Sequence, residues 1–442
     1  MKATYTGIIA FLFIGLTIFA LSPGPSHLID NPTGWEIREQ LVFLTGTLAI
    51  SFMVLAMIVS ARLAWINKMI GGLDKGYIVH KYAGIGCLIF VILHWLIEKT
   101  PGWLIALNLI SHPGDLGNSK QFTELEIMLF QTGTLVAELL FYVFLFLTFI
   151  ALFNKIPYRL FRITHKTFPL IFLLFAYHAA TAQLKENWLS SPGGYLLFLL
   201  LALGCLAAAI GLFRQINRRH LVTGKIDAID YHDNGIIDIQ IKTSKPIRYQ
   251  AGQYAFLTFS HDNEPHPFTI ASSGDDPHQL RFAIKKLGDF TGELKNHISV
   301  GQQISIEGPH GEFKFEDNSE QQIWIAAGIG ITPFLARLEY LSHRSGTDKQ
   351  IDFWYCTNGR LEHQFPSSLQ ELCRKSRVNL HHLNSNQNEY FSENALKEAI
   401  NKTNHVSIWF CGPQQFLTQL KIILTKLKID AKNVHYDSFN MR

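Results

Sequence analysis

Four histidines lie inside stretches of sequence apolar enough to cross a lipid bilayer. His80 and His94 fall within GYIVHKYAGIGCLIFVILHWLIE (76–98), and His165 and His178 within RITHKTFPLIFLLFAYHAATAQ (162–183). An imidazole in hydrocarbon is costly unless a partner satisfies it. Each stretch holds one histidine near its start and one deeper. From 80 to 94 is fourteen residues, about 21 Å of helix rise, which turns both rings to one face. From 165 to 178 is thirteen, which leaves the rings about 140° apart on an ideal helix. Pro169, four residues after His165, can loosen that first turn and re-aim the ring.

Four inward-facing imidazoles at two matched depths suit two planar iron porphyrins, each with two axial nitrogens. His80 would pair with His165, and His94 with His178. The plainer alternative is that each histidine hydrogen-bonds a neighbouring helix, and the equal depth of the pairs favours haem over it. A zinc site is disfavoured, because no Cys, Asp or Glu joins either pair.

These histidines must be positioned by helices, and the chain of 442 residues divides accordingly. Up to about Phe213 it is a series of Leu/Ile/Phe-rich runs, and beyond Arg214 it alternates like a soluble protein. Spanning helices are expected at 6–21, 41–61, 77–97, 126–153, 168–182 and 195–213, most of them near the roughly 20 residues a hydrocarbon core requires. The first is read as a helix and not as a signal peptide, since no small-residue cleavage site precedes Pro23. One set of loops carries Lys2, Arg62, Lys68, Lys75, Lys155, Arg159, Arg162, Lys166, Arg214, Arg218 and Arg219. In the opposite set Arg38, Lys99 and Lys120 are diluted by acids. The positive-inside rule then puts both ends in the cytoplasm. The net charge of +4 is accounted for by that topology and implies no nucleic-acid partner.

The soluble half opens with short alternating strands. HDNG (232–235) is a hairpin turn between KIDAIDY and IIDIQIK, which suggests a small antiparallel barrel. HPFTIASS follows at 266–273. Further on, IWIAAGIGITPFLARLEYL (323–341) reads as an apolar strand, a glycine turn and a helix with Pro333 at its first position. Gly328, Gly330 and Thr332 belong to that turn, where a dinucleotide pyrophosphate can approach the helix N-terminus. The pattern is G-x-G-x-x-P and not the full G-x-G-x-x-G. HVSIWFCGPQQF (405–416) is a second buried strand, ending in Cys411, Gly412 and Pro413.

With HPFTIASS standing behind two histidine-bearing helices, the sequence resembles the NADPH oxidase and ferric reductase family of transmembrane flavocytochromes b, in its bacterial form. The resemblance spans almost the whole chain. It implies a six-helix transmembrane haem domain (1–216), an FR-type antiparallel β-barrel for FAD (217–316) and an NAD(P)-binding, ferredoxin-reductase-like α/β domain (317–442). The family's flavin barrel carries His-Pro-Phe-Thr/Ser, here His266, Pro267, Phe268 and Thr269, with Ser272 and Ser273 beyond. Thr269 can offer a hydroxyl to the flavin, and His266 stands where the wider group has a pyrophosphate-binding Arg. In LGDFTGELKNHI (287–298), Gly288 allows close approach and Thr291 opens a helix whose N-terminus attracts phosphate; an ordinary turn and cap is the equal alternative. AGQY (251–254) and EGPHG (307–311) match positions beside the flavin and the domain junction.

By the same resemblance Cys411 lies near the nicotinamide and Phe439, in the closing HYDSFNMR, covers the flavin ring. A buried structural cysteine and a terminal Phe tucked into its domain are the alternatives. The strand IDFWYCTNGR (351–360) has no acid at its tip, and Arg360 there suits the 2′-phosphate of NADPH more than NADH. The five cysteines, Cys87, Cys205, Cys356, Cys373 and Cys411, are too scattered for an iron–sulfur cluster. No calcium loop precedes the first helix, and no obligatory protein partner is implied.

The expected activity is a wire. Electrons pass from NADPH to FAD, then to the inner haem (His80, His165), the outer haem (His94, His178) and an acceptor outside, dioxygen giving superoxide. A ferric-chelate reductase on the same wiring is the rival, since Glu98 occupies the position one turn beyond the outer ligand and the last outer loop is only LKENWLSSP (184–192). A membrane haem protein acting as a redox sensor is the alternative from another class.

Overall fold

The structure is a computed structural model describing residues 2–29, 32–111, 122–153, 155–186, 188–213, 221–232, 234–262, 264–359, 366, 368–400 and 405–436. It divides into two compact units, Met1–Ile216 and Asn217–Asn440.

The first unit is helical. Its described helices are α1 (Lys2–Ala20), α2 (Gly34–Ser60), α3 (Ala64–Ile70), α4 (Leu73–Ala106), α5 (Glu124–Leu152), α6 (Tyr158–His165), α7 (Phe168–Ala182) and α8 (Pro192–Leu212). Two of them start on capping boxes: the Thr33 and Thr123 hydroxyls accept from the N–H of Glu36 and Glu126, whose carboxylates accept from the Thr33 and Thr123 N–H in return. Such reciprocal caps satisfy two of the orphan donors at a helix start. α2 is the central helix, buried along most of its length and packed against α1, α4 and α8. By contrast α5 turns Leu135, Leu139, Phe146 and Phe149 outwards, each more than half exposed. A face of that kind is what hydrocarbon covers.

Among the described residues four helices, α2, α4, α5 and α8, are long and apolar enough to span a bilayer. α1 and α7, expected as further crossings, are shorter at 19 and 15 residues. The reason for α7 is local. The run that the sequence suggests as one helix is broken between His165 and Phe168. Pro169 has no N–H to give the carbonyl of His165 four residues back, so the ladder stops there. His165 therefore ends α6, and His178 sits alone of the two in α7. The 140° mismatch of an unbroken helix does not arise.

The second unit begins with β1 (Leu221–Tyr231), β2 (Ile236–Thr243), β3 (Tyr254–Phe259), β4 (Pro265–Thr269), β5 (Gln279–Lys285), a short α9 (Asp289–Glu293) and β6 (Gln303–His310). These six strands form one antiparallel sheet in the order β4-β3-β6-β1-β2-β5. An Ile270–Phe282 bridge draws the two edges together. Inside lie Ile226, Ile239, Ile241, Leu257, Phe259, Phe282, Ile304 and Ile306. Gly235 closes the first hairpin with φ +74°, a left-handed conformation that glycine adopts without steric cost.

Next come β7 (Gln321–Ala327), α10 (Thr332–Ser342), β8 (Gln350–Thr357), α11 (Leu369–Ser376), β9 (Asn379–Asn384), α12 (Glu393–Ala399), β10 (Val406–Cys411), α13 (Gln414–Lys426) and β11 (Val434–Tyr436). All five strands are parallel, in the order β11-β10-β7-β8-β9. β7 is fully buried from Ile323 to Ala326, as a parallel strand covered by helices on both faces requires.

A polar cluster ties the barrel to α10. Asp275 accepts from Ser273 Oγ (2.7 Å), His343 Nδ1 (2.6 Å) and Arg344 (2.8 Å), and Glu339 accepts from the Ser273 N–H (2.8 Å). Burial alone raises the Asp275 carboxyl, but the hydrogen bonds from His343, Ser273 and Arg344 outweigh it and bring it down to about 2. A carboxyl held below its ordinary value stabilises the fold fully above that ordinary value, and the contribution is lost as pH falls towards 2. We therefore expect Asp275→Asn to melt below the wild type at pH 7, with the gap closing as both are titrated to about pH 2. Thermal melts at the two pH values are the check, and an equal gap at both counts against the cluster.

Candidate redox sites

In the helical unit the four histidines form two pairs. The ring centres of His80 and His165 are 5.8 Å apart with planes at 73°, and those of His94 and His178 are 6.3 Å apart at 75°. A metal–imidazole bond of about 2 Å, with about 1.1 Å more from nitrogen to ring centre, places two rings across one metal about 6 Å apart. Both pairs meet that separation.

The other ring nitrogens say which tautomer is present. His80 Nδ1 donates to the Ala56 carbonyl (3.0 Å), His94 Nδ1 to Val42 (2.9 Å) and His178 Nδ1 to Gly133 (3.1 Å). A carbonyl can only accept, so each Nδ1 carries the proton and each Nε2 keeps its lone pair free. This is the tautomer of a metal-bound histidine, oriented through its second nitrogen. The hydrogen bonds to neighbouring helices weighed as an alternative are present, and they satisfy only one nitrogen per ring. His165 differs: its Nδ1 has no hydrogen-bond partner among the described residues, and its ring lies between Phe161 and Phe168, 5.0 and 4.9 Å away. Gly133 lets α5 approach α7, since a Cβ there would sit 2.1 Å from Thr181 Oγ1.

His94 and His178 face a cavity of about 240 Å³ whose walls are mostly apolar. At its polar end the charges pair off: Arg38 with Glu98, Lys99 with Glu138 (2.7 Å) and Lys185 with Glu39. Gln183 and Trp95 also line it. Sequence reasoning passed over both, and over the partners of Glu98. The available signal was that Gln183 ends an apolar run five residues after His178.

In the second unit β4 presents His266, Pro267, Phe268 and Thr269 opposite Leu257, Phe256, Ala255 and Tyr254 of β3. The His266 imidazole is hydrogen-bonded to Asp262 (2.6 Å) and stacked on Phe290 at 3.5 Å. The hydroxyls expected to meet a cofactor are mostly engaged within the protein. Ser272 Oγ bonds the Tyr249 hydroxyl (2.6 Å) and accepts from the Arg281 N–H, Ser273 donates to Asp275, and Thr291 Oγ1 accepts from the N–H of Leu287 and Gly288. Burial pushes the Tyr249 hydroxyl up to about 12. No atom lies within 4 Å of a Cβ built on Gly288, so the space above it is open.

The glycine turn after β7 and the end of β10 do come together. A Cβ on Gly330 would stand 2.2 Å from the Cys411 carbonyl oxygen, and one on Gly412 would stand 3.0 Å from Ala327 Cβ. The bare backbone of Gly330 thus serves a loop-to-loop contact. Gly328 is left-handed at φ +54°, with Lys285 Nζ 3.9 Å from its Cβ position. That barrel lysine brings a cation to the glycine turn, a residue the sequence reading did not single out. Thr332 Oγ1 donates to the Ile329 carbonyl (2.7 Å), Pro333 lies in the first turn of α10, and Pro413 immediately precedes α13. Cys411 is buried. Arg360 and Phe439 lie outside the described residues.

Overpacking of this kind costs about 1–3 kcal/mol. Gly330→Ala should therefore lose stability on that scale in denaturant titration, whereas Gly288→Ala, into open space, should stay within about 0.5 kcal/mol of wild type. Equal behaviour of the two variants contradicts the loop contact.

Comparison with known proteins follows the same division. Residues 45–176 match the family described as ferric reductase like transmembrane component, and residues 222–328 match an FAD-binding domain family. The reductase component of propane 2-monooxygenase from Rhodococcus jostii (strain RHA1) is 30% identical over 139 residues, 30% of this chain and 37% of that protein. The carnitine monooxygenase reductase subunit of Escherichia coli (strain K12) is 26% identical over 201 residues, 44% of this chain and 60% of that one. The chain thus spans less than two thirds of the length of these curated relatives. A crystal structure of flavohemoglobin from Malassezia yamatoensis with bound FAD and heme resembles this fold over 91% of this chain and 98% of its own, with 16% identity and a TM-score of 0.50. A ferric-reductase-like membrane component followed by an FAD-binding domain in one polypeptide supports a ferric reductase/NADPH oxidase-like flavocytochrome family for this chain.

Proposed function

We propose that this protein is an NAD(P)H-dependent oxidoreductase that moves electrons from a cytoplasmic nicotinamide, through FAD and two b haems, to an acceptor on the far side of a membrane. The observation that carries the reading is the pair of histidine pairs, each at metal-bridging separation, with Nδ1 protons held by backbone carbonyls in three of the four rings. His80 and His165 would hold the inner haem, His94 and His178 the outer. The flavin supplies a centre that accepts two electrons as hydride and releases them singly to carriers that take one.

The chain's own residues divide the remaining work. We assign 1–216 to the haem domain, with α1 and α7 completing six crossings, 217–316 to the FAD barrel and 317–442 to the nucleotide domain. The basic loops on one side support cytoplasmic termini in a bacterial inner membrane. His266, Pro267, Phe268, Thr269, Ser272 and Ser273 would line the flavin, with Gly288 and Thr291 beside the pyrophosphate. Gly328, Gly330, Thr332 and Pro333 would receive the dinucleotide, Cys411, Gly412 and Pro413 would flank its nicotinamide, and Phe439 would shield the flavin ring. Arg360 would read the 2′-phosphate of NADPH.

For the acceptor, dioxygen yielding superoxide is put before ferric chelate. Glu98 is paired with Arg38, and the other rim charges pair in the same way. Among the described residues lining that cavity the charges balance, which supports a small neutral acceptor. The test is NADPH consumption by the purified protein in liposomes, with and without oxygen and with ferric chelate outside. Oxygen-dependent turnover with superoxide is expected. Full turnover without oxygen on ferric chelate, with little superoxide in air, reverses the order, and no steady consumption at all points to a sensor.

Two substitutions test the assignments. His94→Leu should leave one haem per chain by pyridine haemochrome assay while flavin reduction by NADPH proceeds as before; two haems retained refutes the pairing. Arg360→Ala should weaken NADPH use roughly tenfold or more and leave NADH nearly unchanged, because only NADPH offers the phosphate for a charge-assisted bond. Equal losses in kcat/KM for both nucleotides remove Arg360 from that role.

A further inference from the structure

The five-stranded sheet has a recess at the edge opposite its glycine turn. Residues 315–318 precede β7 and Lys349 precedes β8, whereas the glycine turn follows β7, and the two strands are parallel. Phe315, Glu316, Asp317, Asn318, Arg337 and Lys349 line an open volume of about 510 Å³ there. No cofactor is assigned to it.

One cation in this recess has no acceptor. Arg337, in the middle of α10, makes no hydrogen bond or ion pair with any described residue. Its Nε is buried, and its guanidinium lies 5.9 Å from the Phe315 ring centre and 5.0 Å from that of Tyr340. With Nε enclosed, the side chain offers the recess its two Nη groups, end on. Phe315 is a fixed floor beneath them. It is 1% exposed, and its backbone is left-handed at φ +59°, a conformation that a bulky residue keeps only where packing holds it.

The acids beside Arg337 are engaged elsewhere. Asp317 accepts from Lys349 Nζ (2.8 Å), Ser319 Oγ (2.5 Å), Gln322 Nε2 (3.2 Å) and Trp409 Nε1 (3.3 Å). Lys349 also donates to the Asp317 carbonyl (2.8 Å), and Glu316 accepts from Gln250 Nε2 (2.7 Å). The exposed Asn318 amide makes no hydrogen bond with a described residue. The donors left over are thus the Arg337 fork and one neutral amide. A guanidinium fork matches two oxygens on one planar group, which is the form of a carboxylate. Glu316 and Asp317 offset the charges of Arg337 and Lys349, so a second negative charge on the ligand is disfavoured. We propose that this recess binds a small monocarboxylate, its two oxygens on the Arg337 Nη groups and the Asn318 amide donating beside them. The site is independent of the haem reading.

The experiment is equilibrium dialysis of the purified full-length protein against radiolabelled benzoate, at constant ionic strength made up with chloride. One saturable site per chain is expected, emptied by unlabelled acetate more readily than by inorganic phosphate. Arg337→Met should weaken benzoate binding roughly tenfold or more, the loss expected when a charged hydrogen-bond donor is removed. Arg337→Lys should weaken it on the same scale, because an ammonium keeps the charge and loses the fork. Asn318→Ala should cause a smaller loss. Where Arg337→Met fails to fold, Arg337→Lys and the exposed Asn318→Ala carry the test. No saturable binding by the wild type, or wild-type affinity in Arg337→Lys, overturns the proposal. Phosphate displacing benzoate more readily than acetate overturns the choice of a monocarboxylate.

Discussion

A buried imidazole has two nitrogens to satisfy, and most of the helical unit is arranged around that requirement. Three of the four rings turn Nδ1 to a backbone carbonyl, two on α2 and one on α5. Those carbonyls already serve their own helices and accept the imidazole proton on a second lone pair. The bond fixes the tautomer and restrains the ring plane together, leaving the lone pair on Nε2. α2 is therefore more than filler at the centre of the bundle. It carries no histidine, yet it supplies the acceptors for both rings of α4, which is why its burial matters to a site it does not ligate.

His165 is the exception, and its setting shows what replaces the bond. It ends a short helix at the break before Phe168, where Pro169 interrupts the backbone ladder. Flanking phenylalanines hold its ring in place of a carbonyl. Ring packing restrains position without choosing a tautomer. The His80–His165 pair is thus built less symmetrically than the His94–His178 pair, from the same residue type.

In the second unit close backbone approach has the same organising part. Gly330 meets the carbonyl of Cys411, so the glycine turn and the end of β10 behave as one surface. The polar cluster at Asp275 fixes the barrel against α10. Several side chains that the motifs suggest for ligands, Ser272, Ser273 and Thr291 among them, also make hydrogen bonds within these turns.

How much of this was legible in the sequence follows from what each signal depends on. Apolar run lengths and period-two strands depend on local composition, so a helical membrane half and a two-sheet soluble half could be read directly. The pairing of His80 with His165 and His94 with His178 was also readable, because helix rise converts residue spacing into depth. The motif residues at 266–269 and 328–333 stood out by type and order. The sequence did not reveal that α6 and α7 are separate, that the charges at Arg38, Lys99 and Lys185 each have a partner on another element, or that the Gln183 amide is buried without one among the described residues. Ion pairs such as Arg38 with Glu98, sixty positions apart, and orphaned groups such as the Gln183 amide are properties of neighbours brought together by packing. Residue identity and spacing determined which chemistry was available to this chain. Only the tertiary structure decided which of its polar groups are engaged by the fold itself, because a hydrogen bond made across the fold depends on neighbours that packing alone brings together.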